Sequence, residues 1–304
     1  MIYGIVDLGS NTIRLNIYRC ENETVKLLVG KKETAGLAGY VKEKKMTAKG
    51  LKKACSVLES FQSIVDNLGV DAYFVFATAS LRNIDNTEEA VDFIRKRTGI
   101  CIEVLSGEEE AQLDFLGATH VVEVKDGILI DIGGSSTELV SYRDSTILHA
   151  VSLPIGSLSL YTQYVGSLLP KKKERSRMKA RILEELEKTA PLFAEDPYEI
   201  VCGIGGSIRA AAKLNNRMLD LPKQNNTIEA ANIKKILKMV TGKGKESLQT
   251  ILQVVPDRIH TVIPGLTILH QAVTFFQSKT IVVSSFGVRE GYLFSKVLQG
   301  EMID

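Results

Sequence analysis

Residues 5–18, IVDLGSNTIRLNIY, and residues 129–142, LIDIGGSSTELVSY, follow one pattern. In each, an apolar run reaches an aspartate, then one hydrophobe, a glycine, small polar residues and a second apolar-rich run. A block that recurs in this way predicts two domains of one design, and 304 residues leave room for both. It also sets how each domain begins, with a strand, a tight glycine turn and an antiparallel return strand.

The surrounding pattern agrees. VKLLVGKKE adds a third strand, so the first domain opens as a meander and not as a βαβ unit. From Thr47 to Leu68, apolar residues including Leu51, Leu58, Phe61 and Val65 recur at helical spacing. DAYFVFATAS reads as a strand. NTEEAVDFIRKRTG reads as a helix with Asn86 as N-cap, Glu89 in the capping-box position and Gly99 as the stop. ICIEVLSG is an expected strand and EEEAQLDFLGATHV an expected helix, which completes the order βββαβαβα. The three-strand opening then recurs. A basic amphipathic helix follows, then EIVCGIGGSIRAAAKL as strand, glycine turn and helix. IEAANIKKILKMV and IPGLTILHQAVTFFQ read as helices, and TIVVSSFGVREGYLFSKVL as a last strand and helix. The class is α/β, with expected domains 1–124 and 125–304.

Composition excludes several functions. Hydrophobic residues make up 44% and charged residues 24%, a balance that builds cores. A net charge of +2 gives no global attraction to nucleic acid. No run of about 18 apolar residues offers a membrane span, and MIYGIVDLGS lacks the basic start and long apolar stretch of a signal peptide. Cys20, Cys55, Cys101 and Cys202 are isolated, which fits reduced thiols in a cytoplasmic protein. Charge is concentrated locally: Lys171 to Arg181, KKKERSRMKAR, carries seven basic residues and one acid, and more lysines lie from Lys234 to Lys245. Glu184, Glu185 and Glu187 allow i,i+4 pairing on a solvated helix; a track for a polyanion is the alternative.

A lone DxGxxT is most often a plain glycine turn, whereas two at matching positions point to a ligand. Gly9 and Gly133 let the backbone approach a ligand closely. The turn N–H groups, with Ser10, Asn11, Thr12, Gly133, Gly134, Ser135, Ser136 and Thr137, are candidate donors to phosphate oxygens. Asp7 and Asp131 would repel a polyanion unless they hold a hard cation such as Mg²⁺. Glu108, Glu109 and Glu110 open a helix, where they either offset its dipole or supply a catalytic carboxylate. Arg82 sits in a loop after a strand and can bind phosphate bidentately or stay at the surface; Arg14 has the same two readings.

The paired hairpins resemble those of the actin, Hsp70 and sugar-kinase superfamily. Within it the chain resembles the exopolyphosphatase and guanosine pentaphosphate phosphatase family. Seven blocks in the family's order carry the resemblance over nearly the whole chain: IVDLGSNTIRLNIY, FATASLRNIDN, SGEEEAQLDFLGA, LIDIGGSSTELV, SLPIGSLSLY, GIGGSIRAAAKL and VSSFGVREGYL. The resemblance implies two ribonuclease-H-like domains with a cleft between them, and hydrolysis of terminal phosphate from inorganic polyphosphate with Mg²⁺. Conversion of guanosine pentaphosphate (pppGpp) to ppGpp and a non-catalytic phosphate or alarmone sensor are the alternatives; a homodimer is compatible with either.

By the same resemblance the glutamate before the alanine, Glu110, is catalytic, with Glu109 as fallback. Arg82 is expected to contact phosphate, and Glu138 to support the metal or position water. The chain departs from the family at two places. Gly133-Gly134-Ser135-Ser136 stands where three glycines are usual, and His260 stands where an acid is common, leaving Asp257 and Arg258 as alternatives there. Longer members add helical C-terminal domains, so lower processivity on long chains is expected here.

Overall fold

The computed structural model describes residues 1–21, 24–193, 198–242 and 245–298. By its contacts the chain forms two compact units, Met1–Glu110 and Ala111–Asp304.

Unit 1 contains β1 (Ile2–Leu8), β2 (Thr12–Glu21), β3 (Thr24–Thr34), a small hairpin of β4 (Val41–Lys42) and β5 (Lys45–Met46), α1 (Ala48–Asn67), β6 (Ala72–Ala77), α2 (Ala79–Arg82), α3 (Thr87–Thr98) and β7 (Glu103–Val104). α4 (Gly107–Thr119) follows and crosses the boundary between the units. The five-stranded sheet has the order β3-β2-β1-β6-β7, with β2 antiparallel and β6 parallel to β1. This is the strand order of a ribonuclease-H-like domain. β1 is central, so Tyr3, Ile5, Val6 and Leu8 are all buried and its sequence is nearly continuous apolar. β3 lies at the edge, and its exposed lysines, Lys26, Lys31 and Lys32, discourage further strand pairing. The apolar stripe of α1 packs Leu51, Leu58, Phe61 and Val65 into the core, and its N-cap Thr47 accepts from Gly50 N at 3.3 Å.

Unit 2 repeats this plan. Its elements are β8 (Gly127–Ile132), β9 (Thr137–Arg143), β10 (Thr146–Leu153), α5 (Ser157–Tyr164), α6 (Lys172–Phe193), β11 (Ile200–Ile204), α7 (Gly205–Met218), β12 (Thr227–Glu229), α8 (Ala230–Val240), α9 (Lys245–Val254), α10 (Val262–Phe275), β13 (Thr280–Val283) and α11 (Val288–Tyr292). The sheet order is β10-β9-β8-β11-β13-β12, the order of unit 1 with one strand added at the edge. Among the described residues no helix is long and apolar enough to cross a membrane.

Three local expectations are corrected. Asn86 does not cap α3 with its side chain. Its Oδ1 accepts from Met46 N at 2.9 Å and its Nδ2 donates to Met46 O at 3.2 Å, so the amide fastens the β4–β5 hairpin. ICIEVLSG contributes only the two-residue edge strand β7, paired with Phe76 and Ala77. Ile228 and Glu229, expected as the start of a helix, belong with Thr227 to a strand that pairs antiparallel with β13 before α8 begins.

Candidate active site

The first glycine turn joins β1 to β2. Gly9 N donates to Thr12 O at 3.2 Å, and a Cβ on Gly9 would lie 2.9 Å from that oxygen, so the turn closes only around glycine. The carbonyls of Ser10 and Asn11 accept from Ala38 N and Gly36 N at 3.0 and 2.9 Å, so the chain after β3 braces the turn. Asp7, Arg14 and Lys32 are directly opposite one another across β1, β2 and β3, and so share one face of the sheet.

Glu110 and Arg82 come together in the same unit. Glu110 occupies the first turn of α4 and is buried, with 7% of its surface exposed. Arg82, at the end of α2, donates from Nη1 to Glu110 Oε2 at 2.6 Å and to Leu105 O at 3.2 Å. A charge-assisted bond this short orients a buried carboxylate. Glu109 is occupied differently. Its Oε2 accepts from Ser106 N at 2.8 Å, while Ser106 Oγ accepts from Glu109 N at 3.1 Å, a capping box that starts α4. Glu108 to Glu110 thus divide their work, the middle one capping the helix and the last one turned inward to Arg82.

The second glycine turn joins β8 to β9. Gly133 N donates to Ser136 O at 3.0 Å, the counterpart of the bond in the first turn. α5 begins on this turn. Ser157 N donates to Gly133 O, and Leu158 N and Ser159 N both donate to Gly134 O, at 2.8–3.0 Å. A Cβ on Gly156 would overlap the Gly134–Ser135 peptide. Ser136 and Thr137 are buried, and Thr137 Oγ1 donates its hydrogen to Ile155 O at 2.7 Å. Its hydroxyl therefore stabilises the turn, and the N–H groups and Ser135 are the accessible donors. Asp131, Glu138 and Ser152 are opposite one another across β8, β9 and β10. Glu138 is 1% exposed and its Oε1 accepts from Ser152 Oγ at 2.7 Å.

The structure gathers further residues beside this turn, among them Arg209, which the sequence pattern did not single out. β11 runs parallel to β8 with Ile204 opposite Asp131, so α7 starts beside the aspartate. Gly205 has φ +83°, and a Cβ there would overlap Asp131 Oδ1. A Cβ on Gly206 would overlap the guanidinium of Arg258, which therefore lies against the start of α7. Arg209 is one helical turn further on; its Nη1 donates to Ser284 O at 3.4 Å. Burial lowers the Arg209 pKa, Arg289 and Arg258 push the same way, and Asp131 and Glu290 oppose them. The GIGGSIR turn meets Asp131 and Arg258, which are remote from it in the chain. Glu290 Oε2 accepts from Gly287 N at 2.9 Å and so caps α11.

Asp131 and Glu138 offer carboxylate oxygens on one sheet face, backed by a hydroxyl. No group of three or more His, Cys, Asp or Glu side chains suited to a metal occurs among the described residues. Mg²⁺ does not require one, because it keeps several waters and takes one or two carboxylates beside substrate phosphates. The all-oxygen donor set fits such an ion.

The chain thus has two ribonuclease-H-like units, each opening on an Asp-Gly hairpin, and a buried Glu–Arg pair in the first. Residues 16–300 match the Ppx/GppA phosphatase family, and the chain belongs to that family. It is 26% identical over 294 residues, 95% of this chain and 90% of the other, to a provisionally named exopolyphosphatase of Haemophilus influenzae. It is 24% identical over 306 residues, 98% of this chain and 88% of the other, to exopolyphosphatase 1 of Mycobacterium tuberculosis. It shares its fold with the crystal structure of an exopolyphosphatase from Cytophaga hutchinsonii, with TM-score 0.88, 22% identity and coverage of 99% and 98% of the two chains.

Proposed function

We propose that this protein hydrolyses the terminal phosphoanhydride bond of inorganic polyphosphate and releases orthophosphate. The observation that carries the reading is the buried Glu110 carboxylate held by Arg82 at 2.6 Å, in a chain of a phosphatase family. Relatives named exopolyphosphatase along nearly the full length support the choice of substrate.

Glu110 accepts a proton from the attacking water as its oxygen bonds the terminal phosphorus, and the P–O bond to the bridging oxygen breaks with its electron pair going to the shortened chain. Arg82 keeps the Glu110 carboxylate fixed while the substrate is bound. In each unit the N–H groups of the glycine turn donate to phosphate oxygens, with Ser10, Asn11, Thr12 and Arg14 in unit 1 and Ser135 in unit 2. In unit 2, Asp131 and Glu138 are the residues that would hold Mg²⁺, which when bound neutralises charge on the phosphate oxygens.

Purified protein is assayed with Mg²⁺ on tripolyphosphate, long-chain polyphosphate, pppGpp and ATP. Polyphosphate is the expected preferred substrate. Glu110→Gln is expected to lower phosphate release by at least about 100-fold while binding persists. A preference for pppGpp would replace the substrate assignment, and an unchanged rate in Glu110→Gln would remove Glu110 from the mechanism.

A further inference from the structure

We propose that Lys179, His270 and Lys234 form an anion-binding face on the outside of unit 2 that takes a run of units from a linear polyphosphate chain. The choice of ligand rests on the function proposed above; the face itself rests on the following geometry.

α10 packs against α6 on one side and α8 on the other. From Val262 to Val273 every residue of α10 is buried except His270, which is half-buried. Lys179 of α6 and Lys234 of α8 are both exposed. Gln271 Nε2 lies 2.9 Å from His270 Nδ1. An amide nitrogen can only donate, so Nδ1 accepts and the neutral ring carries its proton on Nε2. Burial lowers the His270 pKa, and the Lys179 and Lys234 ammonium groups push it the same way. The charged groups that perturb the ring are thus both cations, one from each flanking helix. The two ammonium groups belong to the helices on either side of the ring, where a bound anion would offset the positive charge that acts on it.

The rest of the basic run extends the face in one direction. Several of its cations are already engaged. Arg181 bonds Glu184 and Glu185 at 3.0 and 2.6 Å, Arg177 lies 5.3 Å over the Tyr164 ring, and Arg175 donates to Pro170 O at 2.9 Å. Lys172 and Lys179 remain exposed and, seven residues apart, lie about 10 Å apart on one stripe of α6. On α8, Lys235 donates to Asn232 Oδ1 at 2.9 Å, whereas Lys234 and Lys238 are exposed one turn apart. The candidate row, Lys172–Lys179–His270–Lys234–Lys238, draws its members from three helices that pack together. A single orthophosphate cannot bridge it, but a flexible chain with a charge on every unit can.

The test follows the His270 imidazole by NMR in the full chain, assigned with His270→Gln, during titration without Mg²⁺ with long-chain polyphosphate, tripolyphosphate, orthophosphate and phosphatidylserine vesicles. Long-chain polyphosphate is expected to raise the His270 pKa, and the double variant Lys179→Gln/Lys234→Gln to abolish that rise. The double variant should also reduce the slope of log binding constant against log salt by about two. Its kcat/KM should fall on long chains and stay at the wild-type value on tripolyphosphate. No His270 response in a protein that hydrolyses polyphosphate overturns the face and leaves the proposed function intact. An equal response to orthophosphate, or a response to vesicles alone, overturns the assignment of the ligand. A full response in a protein with no phosphatase activity upholds the face while the proposed function fails.

Discussion

The two glycine turns share a backbone and differ in charge. In both, the glycine N–H closes on the carbonyl three residues later, and the segment after the third strand donates N–H groups to the turn carbonyls. The row of side chains beside them diverges. In unit 1 it reads Asp7–Arg14–Lys32, one acid with two cations. In unit 2 it reads Asp131–Glu138–Ser152, two acids with a hydroxyl. Side chains directly opposite in a sheet lie close enough to set one another's electrostatics. Duplication has therefore kept the cradle and changed its charge, with two cations beside one acid in the first row and two acids without a cation in the second.

The sharpest way to break this comparison is to remove one charge from each row. Glu138→Gln should weaken Mg²⁺ binding by about 10- to 100-fold, measured by calorimetry on the protein without substrate. Arg14→Gln should leave Mg²⁺ binding unchanged and weaken tripolyphosphate binding by about tenfold, the loss of one hydrogen bond to a charged group. Equal effects of the two variants on Mg²⁺ would show that the rows do not differ in the way their charges imply.

The braces can be compared next. A Cβ on Gly156 overlaps the Gly134–Ser135 peptide, which is backbone and cannot swing aside. Gly156→Ala should destabilise the protein by about 1–3 kcal/mol, read by chemical denaturation. Gly39, in the 3₁₀ turn that braces the first cradle, has nothing within 4 Å of the position its Cβ would take. Gly39→Ala should stay within about 0.5 kcal/mol of wild type.

The repeat itself was legible because it is local: an apolar run, an aspartate and a glycine three positions from its hydrogen-bond acceptor all lie within one short window. The βββ opening of each unit follows from that window, and the sheet order bears it out in both units. The contacts of Arg258 and Asp131 were not legible for the opposite reason. Arg258 meets Gly206, and Asp131 meets Gly205, only because β11 is inserted beside β8. Asn86 shows the limit at shorter range. Its position before a helix matched a capping signal, but a backbone edge at Met46 offered its amide both a donor and an acceptor, and the bidentate contact was made instead. Only the resemblance ranked Glu110 above Glu109; adjacent residues on a helix point about 100° apart, and the residue pattern does not say which one faces Arg82.

The smallest expected effect separates the units by pH. The four histidines, His120, His149, His260 and His270, all belong to unit 2. Burial lowers the pKa of His120, and burial followed by Lys179 and Lys234 lowers that of His270. A histidine with a depressed folded-state pKa binds fewer protons folded than unfolded, so its contribution is complete above the unfolded value of about 6.5 and is lost as pH falls through the folded value. Hydrogen exchange measured at pH 7.5 and pH 5.5 should show weakened protection of the α4 and α10 amides in unit 2 at the lower pH, with a smaller change in the β1 and β2 amides of unit 1. Long-chain polyphosphate on the outer face should lessen the loss at α10, because it favours the protonated ring, and should leave the loss at α4 unaltered.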